Sequence, residues 1–168
     1  AYGVQIVGNY AYVADGSGLQ IIDISNPTNP TLKGNYDTTS SFHWAYDVQV
    51  VGNYAYVADW NAGLQIIDLT GTPTTVGSVP NPSGAASTAY RVEVVGNLAY
   101  VSSGADGLVI VDVSDPTAPQ QIGQYNTPGI TKTTQIVGNL AYIADDTFGL
   151  QIVDVSNPFN PQLKGVYD

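Results

Sequence analysis

Residues 107–116 read GLVIVDVSDP, a run of β-forming side chains that closes on one aspartate and stops at a proline. The phrase recurs. GLQIIDIS begins at Gly18, GLQIIDLT at Gly63 and GLQIVDVS at Gly149, so successive copies lie 45, 44 and 42 residues apart. A second phrase keeps step with it: VGNYAYVAD from Val7 and again from Val51, VGNLAYVSS from Val95, VGNLAYIAD from Val137. Self-similarity at such a period decides the architecture before any local reading does. The 168 residues divide into four copies, roughly 1–44, 45–88, 89–130 and a shorter 131–168, and form a single domain.

Within a copy, VQIVGN and YAYVAD are two short β-rich runs joined by Gly8-Asn9, and the same pair recurs at Gly52-Asn53, Gly96-Asn97 and Gly138-Asn139. A Gly-Asn link between alternating runs is a hairpin signal, because these residues accept positive φ. Gly18, Gly63, Gly107 and Gly149 open a third run that ends in a Pro-containing turn, and segments such as PTLKGNYD supply a fourth. Four antiparallel strands per unit with no helical stretch define an all-β fold, a β-propeller of four blades. Asp23, Asp68, Asp112 and Asp154 each stand just before the turn, where a carboxylate accepts hydrogen bonds from turn or neighbouring amides. That role is structural.

Charged residues are only 11% of the chain, and Gly, Pro and Tyr are plentiful, as suits a turn-rich β protein. Fourteen acidic residues face four basic ones, Lys33, Arg91, Lys132 and Lys164, for a formal charge of -10. Nucleic acid and anionic membrane surfaces are therefore poor partners. No apolar run is long enough for membrane insertion. The absence of Cys excludes disulfides and thiolate metal sites. The chain opens on Ala1 rather than Met, which reads as a processed or excised segment. Abundant Thr, Asn, Gly and Tyr lean towards an extracellular or cell-surface location.

Leu108-Val109-Ile110-Val111-Asp112 spells the core of the LVIVD repeat, and the chain resembles that family in all four copies. The resemblance takes in the preceding VGNxAYVAD and the following SNPxxP; the second copy departs most, with LTGTPTTVG where the first has SNPTNPTLKG. It implies a propeller-like module of secreted or surface-associated microbial proteins, with no common enzymatic activity and no catalytic motif to carry over.

If the first strand of each blade lies innermost, the loops between second and third strands share a face with the loops between blades. Those loops collect the unusual residues: Phe42, His43, Trp44 and Asp47 in DTTSSFHWAYD, Trp60 in ADWNAG and Phe148 in ADDTFG. Flat rings beside carboxylates suit recognition of a glycan or a peptide. The competing reading has Trp44 and Trp60 capping adjacent blades. Gly3, Asp47, Arg91 and Thr133 start the innermost strands and line the channel mouth, where Asp47 and Arg91 are placed to pair.

Calcium is the metal to weigh, on Asp59 with Asn61 and Asp145 with Thr147, but neither loop continues to the distant Glu of a calcium loop. Asp15, Asp59 and Asp145 read better as turn-formers bonded to their own loops. No cofactor is expected. His43 beside Ser40 and Ser41 does not make a hydrolase triad, and Asp47 with Glu93 or Asp146 is the carboxylate pair a glycosidase would need. Two functions stay open: a non-catalytic binding or structural scaffold module presenting loops to a protein or glycan partner, or a carbohydrate-active enzyme at the channel mouth. A pair of unsatisfied carboxylates in a cleft favours the second; aspartates already bonded to amides favour the first. Because the chain starts at a first strand and ends after a fourth, a ring of four blades closing on itself is expected, with a fragment of a longer propeller or self-association to a larger ring as the alternatives.

Overall fold

The computed structural model describes residues 1–37 and 44–168. The candidates Phe42 and His43, with Ser40 and Ser41, lie outside the described residues. Four antiparallel four-stranded sheets follow one another along the chain. Blade one is β1 (Gly3–Val7), β2 (Tyr10–Asp15), β3 (Gly18–Asp23) and β4 (Thr31–Asp37); blade two is β5 (Ala45–Val51), β6 (Tyr54–Asp59), β7 (Gly63–Asp68) and β8 (Thr74–Val79). Blade three is β9 (Ala89–Val95), β10 (Leu98–Ser103), β11 (Leu108–Asp112) and β12 (Gln120–Tyr125); blade four is β13 (Thr133–Val137), β14 (Leu140–Ala144), β15 (Leu150–Asp154) and β16 (Gln162–Tyr167). The strand order in each sheet is the chain order, the up-and-down meander of a propeller blade.

The hairpin reading is specific in its chemistry. Val7 pairs with Tyr10, leaving Gly8-Asn9 as a two-residue link in which only the glycine takes positive φ, at 58°. Gly at the first central position with positive φ is the mark of a type II′ turn, whose twist matches that of the strands it joins. Each sheet also carries a register shift at the same place on its third strand, between Ile21 and Ile22, Ile66 and Ile67, Ile110 and Val111, and Ile152 and Val153. A bulge bends its strand and adds right-handed twist, so the four sheets are curved alike.

Alternation along the strands gives every blade two apolar faces. The forward face carries residues such as Tyr12, Leu19 and Ile21, and the backward face Val4, Ile6, Ala11 and Val13, as the cross-strand pairs require. Each core is one seam. Ala14 and Leu19 of blade one meet Val48, Val50, Val57 and Ile67 of blade two. Tyr56, Leu64 and Ile66 of blade two meet Val92, Val94, Val101 and Val111 of blade three. Tyr100, Leu108 and Ile110 of blade three meet Ala141, Ile143 and Val153 of blade four. A fully buried Leu such as Leu64 contributes about 1.5–3 kcal/mol to such a seam.

The expected closure differs from what the sheets do. Among the described residues no core joins blade four to blade one, and the backward face of blade one is open, with Val4 63% and Ile6 55% exposed. The four blades form an arc.

Candidate functional site

The loops at one end of the arc bring Trp44 and Trp60 together. Their rings stack with centroids 5.1 Å apart and planes 30° from parallel. Tyr2 lies on the other side of Trp44, at 6.5 Å and 20°, and tilts against Tyr46 at 4.9 Å. Tyr46 meets Tyr90 at 5.4 Å, and the Lys132 ammonium sits 4.4 Å from the centre of the Tyr90 ring and 3.3 Å from its hydroxyl. The result is an unbroken row across all four blades: Trp60, Trp44, Tyr2, Tyr46, Tyr90 and Lys132. Tyr2 and Trp44 are exposed, and the other aromatic members are half-buried. Burial, with neighbouring Tyr90 and Tyr2, pushes the Tyr46 hydroxyl above the ordinary phenol range, so it stays a neutral donor.

Trp60 is held in place at a cost. It opens a 3₁₀ turn (Trp60–Ala62) with a φ of 25°, a conformation that costs a non-Gly residue on the order of 1–3 kcal/mol. The opposing restraint comes from the next linker, where the buried Asn81 donates to the Trp60 carbonyl at 2.8 Å. Asn81 also donates to the Ser87 carbonyl at 3.3 Å and accepts from the Ser103 hydroxyl at 2.8 Å, so its amide is locked by blade three. Backbone strain at a half-buried, stacked Trp marks a position that packing alone does not demand.

Phe148 is not in the row. It rises on the equivalent 3₁₀ turn of blade four (Asp146–Phe148), 44% exposed, with its ring over Gly129. Arg91 is exposed, and the pairing expected with Asp47 is replaced by a hydrogen bond: Val92 N–H donates to Asp47 Oδ2 at 3.2 Å. Burial dominates at Asp47 and raises its carboxyl above the usual range, against the lowering effects of the Val92 amide and the Arg91 charge. Glu93 is likewise engaged, accepting from Ile136 N–H at 3.0 Å. Asp47 and Glu93 therefore each hold a neighbouring blade, whereas Asp146, the other carboxylate weighed for a pair with Asp47, is exposed on a turn of blade four.

That contact is one of a series. Gln5 Oε1 accepts from Val50 N–H, Gln49 Oε1 from Val94 N–H at 2.6 Å, and Glu93 from Ile136 N–H, so one position of each of the first three inner strands clamps the inner strand of the next. The loop aspartates do a related job, which corrects the expectation for Asp145. Asp145 accepts from Thr127 Oγ1 at 2.6 Å and Gly129 N–H at 3.0 Å, both in the linker between blades, and Asp106 accepts from Ser83 N–H and its hydroxyl. Asp15 behaves as foreseen, accepting from Ser17 N–H at 2.8 Å in its own loop.

For calcium, Asp145 presents two oxygens that are already hydrogen-bonded, Thr147 is exposed, and Asp59 is fully buried. Asn61 Oδ1 is buried without a hydrogen-bond partner. No group of three His, Cys, Asp or Glu gathers among the described residues. The aspartates of the repeated phrase cap their turns: Asp23, Asp68, Asp112 and Asp154 accept from the amides of Ser25, Thr70, Ser114 and Ser156 at 2.7–2.9 Å. These bonds lower all four carboxyls. Asp154 falls furthest, to about 2, through Ser156 and then Lys164, whose ammonium is 3.1 Å away.

Sequence reasoning missed Tyr2, Tyr46, Tyr90 and Lys132. Aligning the copies puts them in one column, immediately before Gly3, Asp47, Arg91 and Thr133, and three aromatics at one repeat position was the available signal. A second feature was also missed. The short turn of blade two leaves a groove of about 250 Å³ lined by Tyr10, Tyr12, Lys33 and Pro73, where a longer turn would lie.

Four sheets of this topology, packed face to face in chain order, define a β-propeller. The chain belongs to the LVIVD repeat family, whose model matches residues 1–38, 44–82, 86–127 and 128–168. Solved structures show the same fold. The β-propeller domain of Cps50 (Swd1) from Myceliophteria thermophila superposes with a TM-score of 0.75 at 14% identity, over 99% of this chain and 57% of that one. The computationally designed Ika8 protein gives 0.68 at 13% identity, over 92% of this chain and 46% of that one. The designed Ika4 protein gives 0.70 at 12%, over 90% and 88%. The chain thus spans about half the length of the first two. A comparison with curated proteins finds no significant match.

Proposed function

We propose that this propeller scaffold is a non-catalytic binding module, and that the row from Trp60 to Lys132 is its contact surface for an extended glycan of a secreted or cell-surface setting. The observation that carries the reading is the continuity of the row: five rings and one cation, contributed by all four blades, with Tyr2, Trp44 and Lys132 exposed. Tyr and Trp offer an apolar plate with a polar edge, which matches the alternation of C–H faces and hydroxyls on a sugar chain. The charge of -10 disfavours acidic polysaccharides and points to a neutral one. A protein partner is the other occupant such a surface would take.

The carbohydrate-active enzyme is the weaker class. Asp47 and Glu93 accept backbone amides of the following blade, which is how supporting groups are used. No cofactor is required by this reading.

Titration of the intrinsic tryptophan emission with neutral cello- and chito-oligosaccharides tests it. Saturable quenching is expected, weakened roughly tenfold by Trp60→Ala. Emission that no oligosaccharide perturbs would sink the glycan reading and turn the search to protein partners.

A further inference from the structure

The three seams inside the chain spell out what each blade face recognises, and two such faces are left over. The backward face of blade one carries Val4 and Ile6, 63% and 55% exposed, where their counterparts Val48, Val50, Val92 and Val94 are all buried. The forward face of blade four carries Tyr142 and Ile152, half-buried, where Tyr56, Tyr100, Ile66 and Ile110 are buried. Polar elements of the seam are unmatched too. Gln135 occupies the clamp position of Gln5, Gln49 and Glu93 but is exposed, and the amide it would receive by the pattern is that of Ile6.

The clearest mark is steric. Gly77 and Gly123, on the outer strands of blades two and three, are seats for the proline turn of the following blade: a Cβ at either would strike the carbonyl oxygen of Pro116 or Pro158. Gly165 is the same position in blade four, and a Cβ there meets only Ile152 of its own sheet, at 3.9 Å; Gly34 of blade one is comparably open, 3.9 Å from Pro73, because the turn of blade two that faces it is short. The turn that would fill this seat is that of blade one, around Pro27. Its Pro30 is exposed, whereas the corresponding Pro119 and Pro161 are buried.

We infer that the forward face of blade four receives the backward face of blade one from a second copy of this chain. Because each copy offers both faces, two seams form at once and the pair closes as a ring of eight blades. The arc superposes on 57% of the Cps50 (Swd1) propeller domain and 46% of the Ika8 chain, though on 88% of the Ika4 chain, so four blades set as these are also occur as part of a longer propeller. Closure by a twofold axis leaves no apolar face over, whereas a single arc leaves two.

Light scattering behind a sizing column, across a hundredfold range of concentration, reads this directly. The unaltered chain is expected at twice 17.6 kDa. Gly165→Val is expected at the single mass with an unchanged circular dichroism spectrum, because a Cβ there comes no closer than 3.9 Å to any other group of the lone arc. Gln135→Ala should weaken the pairing without abolishing it. A single mass for the unaltered chain overturns the proposal and assigns the faces to further repeats of the same kind. A doubled mass that Gly165→Val leaves unchanged overturns it as well. Both readouts are independent of glycan binding, so the two readings fail separately.

Discussion

Val92 and Val4 occupy the same position of the same strand in blades three and one, yet Val92 is 3% exposed and Val4 63%. Nothing in either sheet distinguishes them; the difference is the blade behind. Burial here is a property of a pair of sheets, and each sheet carries instructions for two partners whether or not both are present. Blade three is a closed case and blade one an open one, and substitutions at matched positions measure what the missing neighbour is worth.

The largest contrast is expected at the glycine seats. Gly123→Val drives a methyl into the Pro158 carbonyl and forces blades three and four apart, costing roughly 3 kcal/mol in chemical denaturation, by the scale of overpacked cores. Gly165→Val, the same change in the open blade, should be near neutral in the dissociated chain. Equal losses would mean that the seat is a property of the strand and not of the seam.

A smaller contrast is expected for the valines. Val92→Ala should cost about 2 kcal/mol through lost burial and the cavity left behind. Val4→Ala, assayed at concentrations too low for association, should fall within about 0.5 kcal/mol of the unaltered chain. Denaturation midpoints of the two variants at matched protein concentration check this, and a reversed order would break the comparison.

The smallest effect separates two kinds of aspartate. Asp154 has a depressed carboxyl, so its contribution is fully present above the unfolded carboxylate range near pH 4 and is lost as pH falls through about 2. Asp47 has the opposite sign: its raised carboxyl makes the ionised form a burden on the fold, relieved as pH falls. Asp154→Asn is therefore expected to lower Tm at pH 7 and to converge with the unaltered chain near pH 2. Asp47→Asn should be no less stable than the parent at pH 7. Thermal melts over pH 2–7 distinguish the two.

The repeats, the strand order and the turn-capping role of Asp23, Asp68, Asp112 and Asp154 were legible because they are local: each depends on residues within one copy. The contact between Trp44 and Trp60 was legible only as a shared face, since loops at one end of a meander must lie near each other. What could not be read was anything that passes between blades. Gln5, Gln49 and Glu93 look like ordinary exposed positions until the neighbouring inner strand is set beside them, and Asp145 looks like a loop-former until the linker at Thr127 is folded over it. The tyrosine column was within reach but sits one residue before the more conspicuous Asp47 and Arg91.

The type II′ links with their open-space glycines, Gly8, Gly52, Gly96 and Gly138, lie far from any other group, and a Cβ at each would meet nothing within 4 Å. A connection this short and this unencumbered leaves the first two strands of every blade able to pair as soon as they are made, before the rest of the copy exists. Growth of the protein from its N-terminus can then proceed hairpin by hairpin, each new pair adding its partner strands and settling on the sheet already finished.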